Sequence, residues 1–338
     1  MKLASLPGRG RDGRLVVVSD DLAYCTPAAA VADTLQAAME RWERASVVLD
    51  TLANLLASGE APEAQPFAVE RCLAPLPRAY QFLDGSAYVK HENLVRRVRG
   101  SEELPAGFHD APLMYQGVSD HFLAPTAPIR IADPGLGVDF ESEVAVIVDD
   151  VPEGVDRRDA LRHIKLVVLL NDVSLRNVMV DELARGFGFV LSKPHSALSP
   201  LAVSPASLGA AWQDGKLHGR LVSRLNGQVV GEPNPAVDMR FDFADLIAYA
   251  ARTRPLAAGT LVGGGIVENL DPAAGFSSLE RKRRAEIRAT GTASTRFLLP
   301  GDRIEIEFFD DAGNSPFGRI DQRVEVPTRA GAAAPPSA

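Results

Sequence analysis

The sequence predicts an α+β protein, mainly β: a small N-terminal α/β domain over residues 1–75, a large β-rich domain over 76–327 and a disordered tail over 328–338. Three observations predict it. From about residue 76 onward the chain offers short alternating segments divided by Gly and Pro, with few stretches long enough for a helix. Ahead of them, one long stretch with apolar residues at helical spacing follows a strand-like opening. At the end, "TRAGAAAPPSA" has nothing to bury. With 338 residues, 46% of them hydrophobic, the chain can build a core without help from disulfides or metals.

In order, "MKLASL" and "GRLVVVSDD" alternate as two short strands joined by a Gly-rich hairpin. Residues 26–60 read as helical, with Thr26 as N-cap and Pro27 in the first turn. Residues 61–81 are Pro-rich, a linker or an extended crossing segment. Beyond them "ESEVAVIVDD", "HGRLVSRLNGQVVGE" with Asn226-Gly227 as a hairpin turn, "AEIRATGTASTRFLL" and "GDRIEIEFFD" alternate as strands do. "RRDALRHIKLVVLLND" and "DFADLIAYAART" are the helical candidates of this part. No internal period appears, which argues against a solenoid or propeller.

A net charge of −8 speaks against nucleic acid or an anionic membrane as the main partner, since both reward clustered Lys and Arg. The basic runs "RRVRG" (96–100) and "ERKRRAEIR" (280–288) read as solvated faces. Two cysteines, Cys25 and Cys72, lie outside any metal-binding spacing and predict free thiols in a reducing compartment. The N-terminus lacks the apolar core of a signal peptide, and the longest apolar run, "LVVLL" (166–170), is too short to span a bilayer, so a cytoplasmic protein is expected.

The chemistry concentrates in "GVDFESEVAVIVDD" (137–150), where Asp139, Glu141 and Glu143 stand at alternate positions before an apolar strand. Side chains at such positions share a face, roughly 7 Å apart per step. Like charges converging at the edge of a core raise one another's pKa unless a cation sits among them. With no Cys in reach, an all-oxygen set favours a hard divalent ion. The plainer alternative is that these acids decorate an exposed strand end. "LVVLLNDVSLRN" places Asp172 just past an apolar run, and "FLDGSAYVKHENLV" places Asp84 seven residues before His91. Either acid alone is more often a cap or turn residue than a ligand.

Taken together, Asp84 with His91, Glu141-x-Glu143, "NDVSLR", "LSKP", "GTLVGGG" and "GFSSLE" resemble the fumarylacetoacetate hydrolase family in order and spacing over residues 78–325, in the manner of a bacterial fumarylacetoacetase-like member. The resemblance implies a mixed β-sheet roll as catalytic domain and a homodimer. It implies that Asp84, Glu141, Glu143 and Asp172 hold Mg²⁺ or Ca²⁺, with Mn²⁺ a further candidate. It implies His91 as general base, Glu280 as the acid that orients it, and Lys193 as the cation beside a developing oxyanion. Arg176, Thr260 and Tyr115 are the implied substrate-binding groups, and Asp139 takes no family role.

The implied reaction is metal-dependent hydrolysis of a C–C bond in a small β-diketo acid, with fumarylacetoacetate the leading substrate. Acylpyruvate hydrolysis, oxaloacetate decarboxylation or keto–enol isomerisation on the same site are the alternatives, and a non-catalytic metal-stabilised binding protein is the remote one. Two positions depart from the eukaryotic-type pattern. Gln116-Gly117-Val118 stands where those enzymes carry His-Gly-Arg, and Met179 where they carry Gln, which leaves Tyr115 and Arg176 to compensate.

Overall fold

The structure, a computed structural model, describes residues 1–88 and 110–327. His91, the basic run 96–100 and the tail 328–338 lie outside the described residues.

β1 (Lys2–Leu6) and β2 (Arg14–Val18) form the expected antiparallel hairpin, with Leu3 opposite Val17. The helix read from residue 26 begins later. β3 (Tyr24–Pro27) pairs with β2, and Thr26 is buried there with its hydroxyl on the Pro62 carbonyl. Thr-Pro ahead of an alanine run imitates a helix start, but Pro27 sits at the strand end, past the residues that pair with the next strand. The working N-cap is Thr34, which accepts from the Ala37 N–H at 3.2 Å and opens α1 (Leu35–Met39). In α2 (Trp42–Ser58) the buried residues Ala45, Leu49, Leu52 and Leu56 follow the helical period, and Gly59 closes the helix in the left-handed conformation at φ 77°. Each buried Leu contributes on the order of 2 kcal/mol.

After β4 (Gln65–Pro66) come β5 (Phe82–Gly85), β6 (Met114–Gln116), β7 (Ile129–Arg130), β8 (Val138–Asp139) and β9 (Ser142–Val148). The helix read over residues 157–172 divides into α3 (Arg157–His163) and a strand, β10 (Ile164–Asn171). The reason is burial on both faces. Leu166 through Leu170 are fully covered, so the run shows no period that separates strand from helix. β11 (Ser174–Leu175), α4 (Arg176–Arg185), β12 (Ala197–Leu198), β13 (Ala202–Val203), α5 (Pro205–Leu208) and the short pair β14 (Trp212–Gln213) and β15 (Lys216–Leu217) follow.

β16 (Arg220–Leu225) and β17 (Gln228–Gly231) make the hairpin turning at Asn226-Gly227, both at positive φ (53° and 79°). α6 (Phe243–Ala250) carries a reciprocal Asp242/Asp245 capping box, and β18 (Leu261–Gly263) leads into the triple glycine. Residues 285–290, read as the start of a strand, belong instead to α7 (Leu279–Thr290), capped by Ser278 on the Arg281 N–H and ended by Gly291. Its strong helix formers and cap outweigh the local alternation. β19 (Arg303–Phe309) and β20 (Ile320–Glu325) complete the chain.

Among the described residues, eleven strands form one large sheet in the order β4-β3-β2-β1-β13-β10-β9-β18-β5-β6, with β12 also on β10. The N-terminal strands join the large part of the chain through β1 and β13. A second, five-stranded sheet runs β17-β16-β19-β20-β7. Neither order closes on itself, and the fold is α+β with β prevailing. One core lies on the side of Val144, Val146 and Val148, the other on the side of Ala145 and Ile147 beside the N-terminal helices. β9 is therefore apolar on both faces beyond Glu143.

Candidate active site

Adjacency of β10, β9, β18 and β5 brings three carboxylates together. Glu143 is the second residue of β9, opposite Leu170 of β10. Asp172 is the first residue past β10, and Asp84 lies on β5, in parallel register with Gly263 of β18. An oxygen from each of Asp84, Glu143 and Asp172 lies within 4.8 Å of the others, and all three side chains are buried. The triple glycine makes this possible. A Cβ on Gly263 would stand 2.3 Å from Asp84 Oδ1, and Gly265, at φ 75°, turns its N–H onto that oxygen at 3.1 Å.

The three acids are held unequally. Asp172 Oδ1 accepts from Ser196 Oγ at 2.6 Å, and Oδ2 accepts from Lys193 Nζ at 2.5 Å and from the Tyr115 hydroxyl. Glu143 has no hydrogen-bond donor on either oxygen among the described residues. Burial, then the Asp172 charge, pushes the Asp84 carboxyl up to about 8. Burial and the neighbouring Asp84 and Glu141 carry Glu143 well above the ordinary range. This buried hard-oxygen set, with one carboxylate lacking any donor among the described residues, could hold a divalent metal ion, which would take further oxygens from water or substrate.

Glu141, implied as a fourth ligand, stands outside that group. Its Oε2 accepts from Lys193 at 2.9 Å, and its Oε1 accepts from Ser174 at 3.0 Å and pairs with Arg176 at 2.6 Å. Burial alone would raise its pKa, but Lys193 and Arg176 outweigh that and hold it below the usual range. Glu141 thus lies between two buried cations on the wall of the same cavity as Asp84 and Glu143. Lys193 is correspondingly held charged: burial opposes it, and Asp172 and Glu141 prevail.

Asp139 proves to be fully buried. Its carboxylate caps α7, accepting from the Leu279 N–H at 2.8 Å and the Glu280 N–H at 3.0 Å, and also takes Arg176 Nε at 2.9 Å. The three acids of the opening pattern therefore share a polar layer while Val138, Phe140 and Val144 enter the core. They differ in partner: Asp139 takes a helix end, Glu141 takes cations, and Glu143 joins the cluster.

A cavity of about 240 Å³ opens on this layer, with Asp84, Glu141, Glu143, Arg176 and Lys193 on its wall together with Tyr115. Met179 lines it as well. Thr260 does not. It is buried at the head of β18 with its hydroxyl on the Ala257 carbonyl at 2.7 Å, a turn contact, and Gly265 and Ile266 occupy the cavity wall instead. Glu280 is also absent from the wall; its carboxylate pairs with Arg284 one turn along α7. Its implied partner His91 lies outside the described residues.

Sequence reading missed Ser174, Ser196 and Arg281. Ser174 follows Asp172 at i+2 and Ser196 follows Lys193 at i+3, so both stood beside residues already singled out. Arg281 belongs to a run read as solvated, yet it is 5% exposed, lines the cavity and pairs with Glu268 at 3.4 Å. Its position next to Glu280 was the available signal.

The sequence profile of the fumarylacetoacetate (FAA) hydrolase C-terminal family matches residues 81–325, and that of fumarylacetoacetase N-terminal domain 2 matches residues 1–78. A mitochondrial oxaloacetate tautomerase of Xenopus laevis is 26% identical over 148 residues, 44% of this chain and 45% of that protein, so the match spans less than half of that relative. Among solved structures, a fumarylacetoacetate hydrolase from Exiguobacterium antarcticum superposes with a TM-score of 0.62 at 17% identity, covering 97% of this chain and 100% of that one. Maleylpyruvate hydrolase from Sphingobium sp. SYK-6, solved with manganese(II) and pyruvate, superposes with a TM-score of 0.60 at 17% identity and the same coverage. At such identities the structural likeness establishes the fold, and with profiles matched along nearly its whole length the chain belongs to the fumarylacetoacetate hydrolase family.

Proposed function

We propose that this protein is a metal-dependent hydrolase that cleaves a C–C bond of a β-diketo acid, with fumarylacetoacetate, giving fumarate and acetoacetate, as the leading substrate. The observation that carries the reading is the buried Asp84, Glu143 and Asp172 cluster with Lys193 Nζ on Asp172, where Asp84, Glu143 and Lys193 line one small cavity. A divalent ion held there would supply Lewis-acid polarisation of a substrate carbonyl.

The chain's own groups supply the remainder. Lys193, kept charged by Glu141 and Asp172, presents a fixed ammonium to an oxyanion in a site shielded from water. In the family assignment His91, oriented by Glu280, takes a proton from water whose oxygen adds to the carbonyl carbon. The bond from that carbon to the adjacent carbon then breaks, its electron pair passes into an enolate, and a proton returns to carbon. Tyr115 fixes the acceptor side of Asp172 and narrows the cavity above it.

A second reading is keto–enol tautomerisation of oxaloacetate, favoured by the named activity of the curated relative. It requires proton transfer and no attacking water. Purified protein assayed spectrophotometrically with fumarylacetoacetate, acylpyruvates and oxaloacetate, with Mn²⁺ or Mg²⁺ and with chelator, separates the two. Hydrolysis places one oxygen of ¹⁸O-labelled water in the carboxylate product, whereas tautomerisation changes the enol absorbance without forming a new product. Loss of no diketo acid under any metal condition would overturn the hydrolase reading.

A further inference from the structure

Beyond the small cavity lies a larger one of about 860 Å³. The two share Met114, Tyr115, Leu183 and Phe189 as walls, an inner and an outer chamber that adjoin at a largely apolar waist. The inner volume falls below the roughly 300–1,000 Å³ of an ordinary ligand pocket, whereas the outer one lies within it. The outer wall contains the turn after α6, with Arg252 and Arg254. Both are exposed, and neither lies within ion-pair distance of a carboxylate among the described residues. The Arg252 guanidinium lies 6.0 Å from the centre of the Tyr249 ring, on the same wall.

One acid, Glu182, also lines this chamber, but its carboxylate is turned to its own loop. Oε1 accepts from the N–H groups of Val190 at 3.0 Å and Leu191 at 2.8 Å, and Oε2 accepts from the Ser192 N–H at 3.1 Å and from the Ser192 hydroxyl. The chamber therefore presents two uncommitted guanidinium groups on a protein of net charge −8, a local field that attracts anions.

We propose that Arg252 and Arg254 form a subsite for a second carboxylate, so that the preferred ligand is a dicarboxylate spanning the waist, its oxo-acid head in the inner chamber and its distal carboxylate in the outer one. The inference rests on the diketo-acid reading for the identity of the head group. On the inner wall Met179 is apolar and the cations Arg176, Lys193 and Arg281 are already paired with Asp139, Glu141, Asp172 and Glu268, which places recognition of the distal charge farther out.

Calorimetric titration of the full chain with Mn²⁺ tests the subsite without turnover. The probes are 2-oxoglutarate, 2-oxoadipate and 2-oxopimelate against the monoacids of equal length, 2-oxopentanoate, 2-oxohexanoate and 2-oxoheptanoate. The native protein is expected to prefer the best-fitting diacid by about tenfold or more, the ordinary worth of charge-assisted hydrogen bonds. In the Arg252→Ala/Arg254→Ala double variant the diacid is expected to bind no better than its monoacid, while Arg252→Lys/Arg254→Lys retains part of the preference. A native protein without preference for any diacid, or an alanine double variant that keeps it, would overturn the subsite. If the diacid preference is present and arginine-dependent but no diketo acid is hydrolysed, the hydrolase reading falls and the subsite stands.

Discussion

Replacing Gly263 with alanine isolates how the backbone shapes the candidate metal centre. The added Cβ would lie 2.3 Å from Asp84 Oδ1, 3.2 Å from Asp84 Cγ and 3.4 Å from Phe82 Cε2. Ordinary packing distances require the carboxylate to retreat by about 1 Å. Phe82 is buried and Gly263 is hydrogen-bonded into a central strand, so the side chain of Asp84 is the group that yields. Overpacking of this kind costs about 1–3 kcal/mol, a fall of roughly 2–10 °C in Tm for a chain of this size. Metal ligands tolerate displacements of about 0.2 Å, and disturbances around such sites lower affinity by about 10–100-fold. Two measurements follow: thermal unfolding in chelator, and Mn²⁺ titration followed by electron paramagnetic resonance. Gly10→Ala, where an added Cβ meets nothing within 4 Å, serves as the control and should match the native protein in both. A Gly263→Ala variant with a lowered Tm but native Mn²⁺ affinity would refute the assignment of Asp84 as a ligand. Native behaviour in both measurements would refute the packing argument itself.

Lys193→Met leaves Glu141 and Asp172 buried without their shared cation and is expected to destabilise the metal-free protein by about 3–5 kcal/mol in urea unfolding; an unchanged midpoint would show that the ammonium is not structural. Glu286 accepts from the N–H groups of Ser294 and Thr295 and from the Thr295 hydroxyl, which hold its carboxyl down to about 2. Because the folded pKa lies below the unfolded one of about 4.3, its contribution is complete above that pH and lost as pH falls through about 2. Melting curves of native protein and Glu286→Gln should therefore converge across that acid window; a constant difference would contradict the linkage. Burial pushes the Cys72 thiol up to about 12, and burial raises Cys25 as well, so a disulfide reagent at about pH 8 should modify neither until the chain unfolds. Rapid labelling of native protein would contradict that burial.

How much of this was legible in the sequence depended on whether a residue's neighbours along the chain were also its neighbours in space. The hairpins at the N-terminus and at Asn226-Gly227, and the capped helix of residues 243–250, declared themselves because turn chemistry and period are local. β10 was hidden because burial on both faces removes the periodicity that separates a strand from a buried helix. The false start at Thr26 has the same origin: the partners that make β3 a strand are β2 and β4, which a reading of the segment by itself does not contain.

The acids at alternate positions carried the site in outline, and their different partners carried its meaning. Alternation alone sends Asp139, Glu141 and Glu143 to one polar layer, and the structure keeps that layer across the break between β8 and β9. What alternation cannot specify is which acid meets a cation brought from far along the chain. Glu141 is drawn to Lys193 and Arg176 and Asp139 to the start of α7, each by groups more than thirty residues away. Only Glu143 is left without a donor among the described residues, beside Asp84 and Asp172. A buried carboxylate in that position is tolerable when neutral or when a cation joins it. The same absence of a donor that weakens the metal-free fold is what suits this position to an ion.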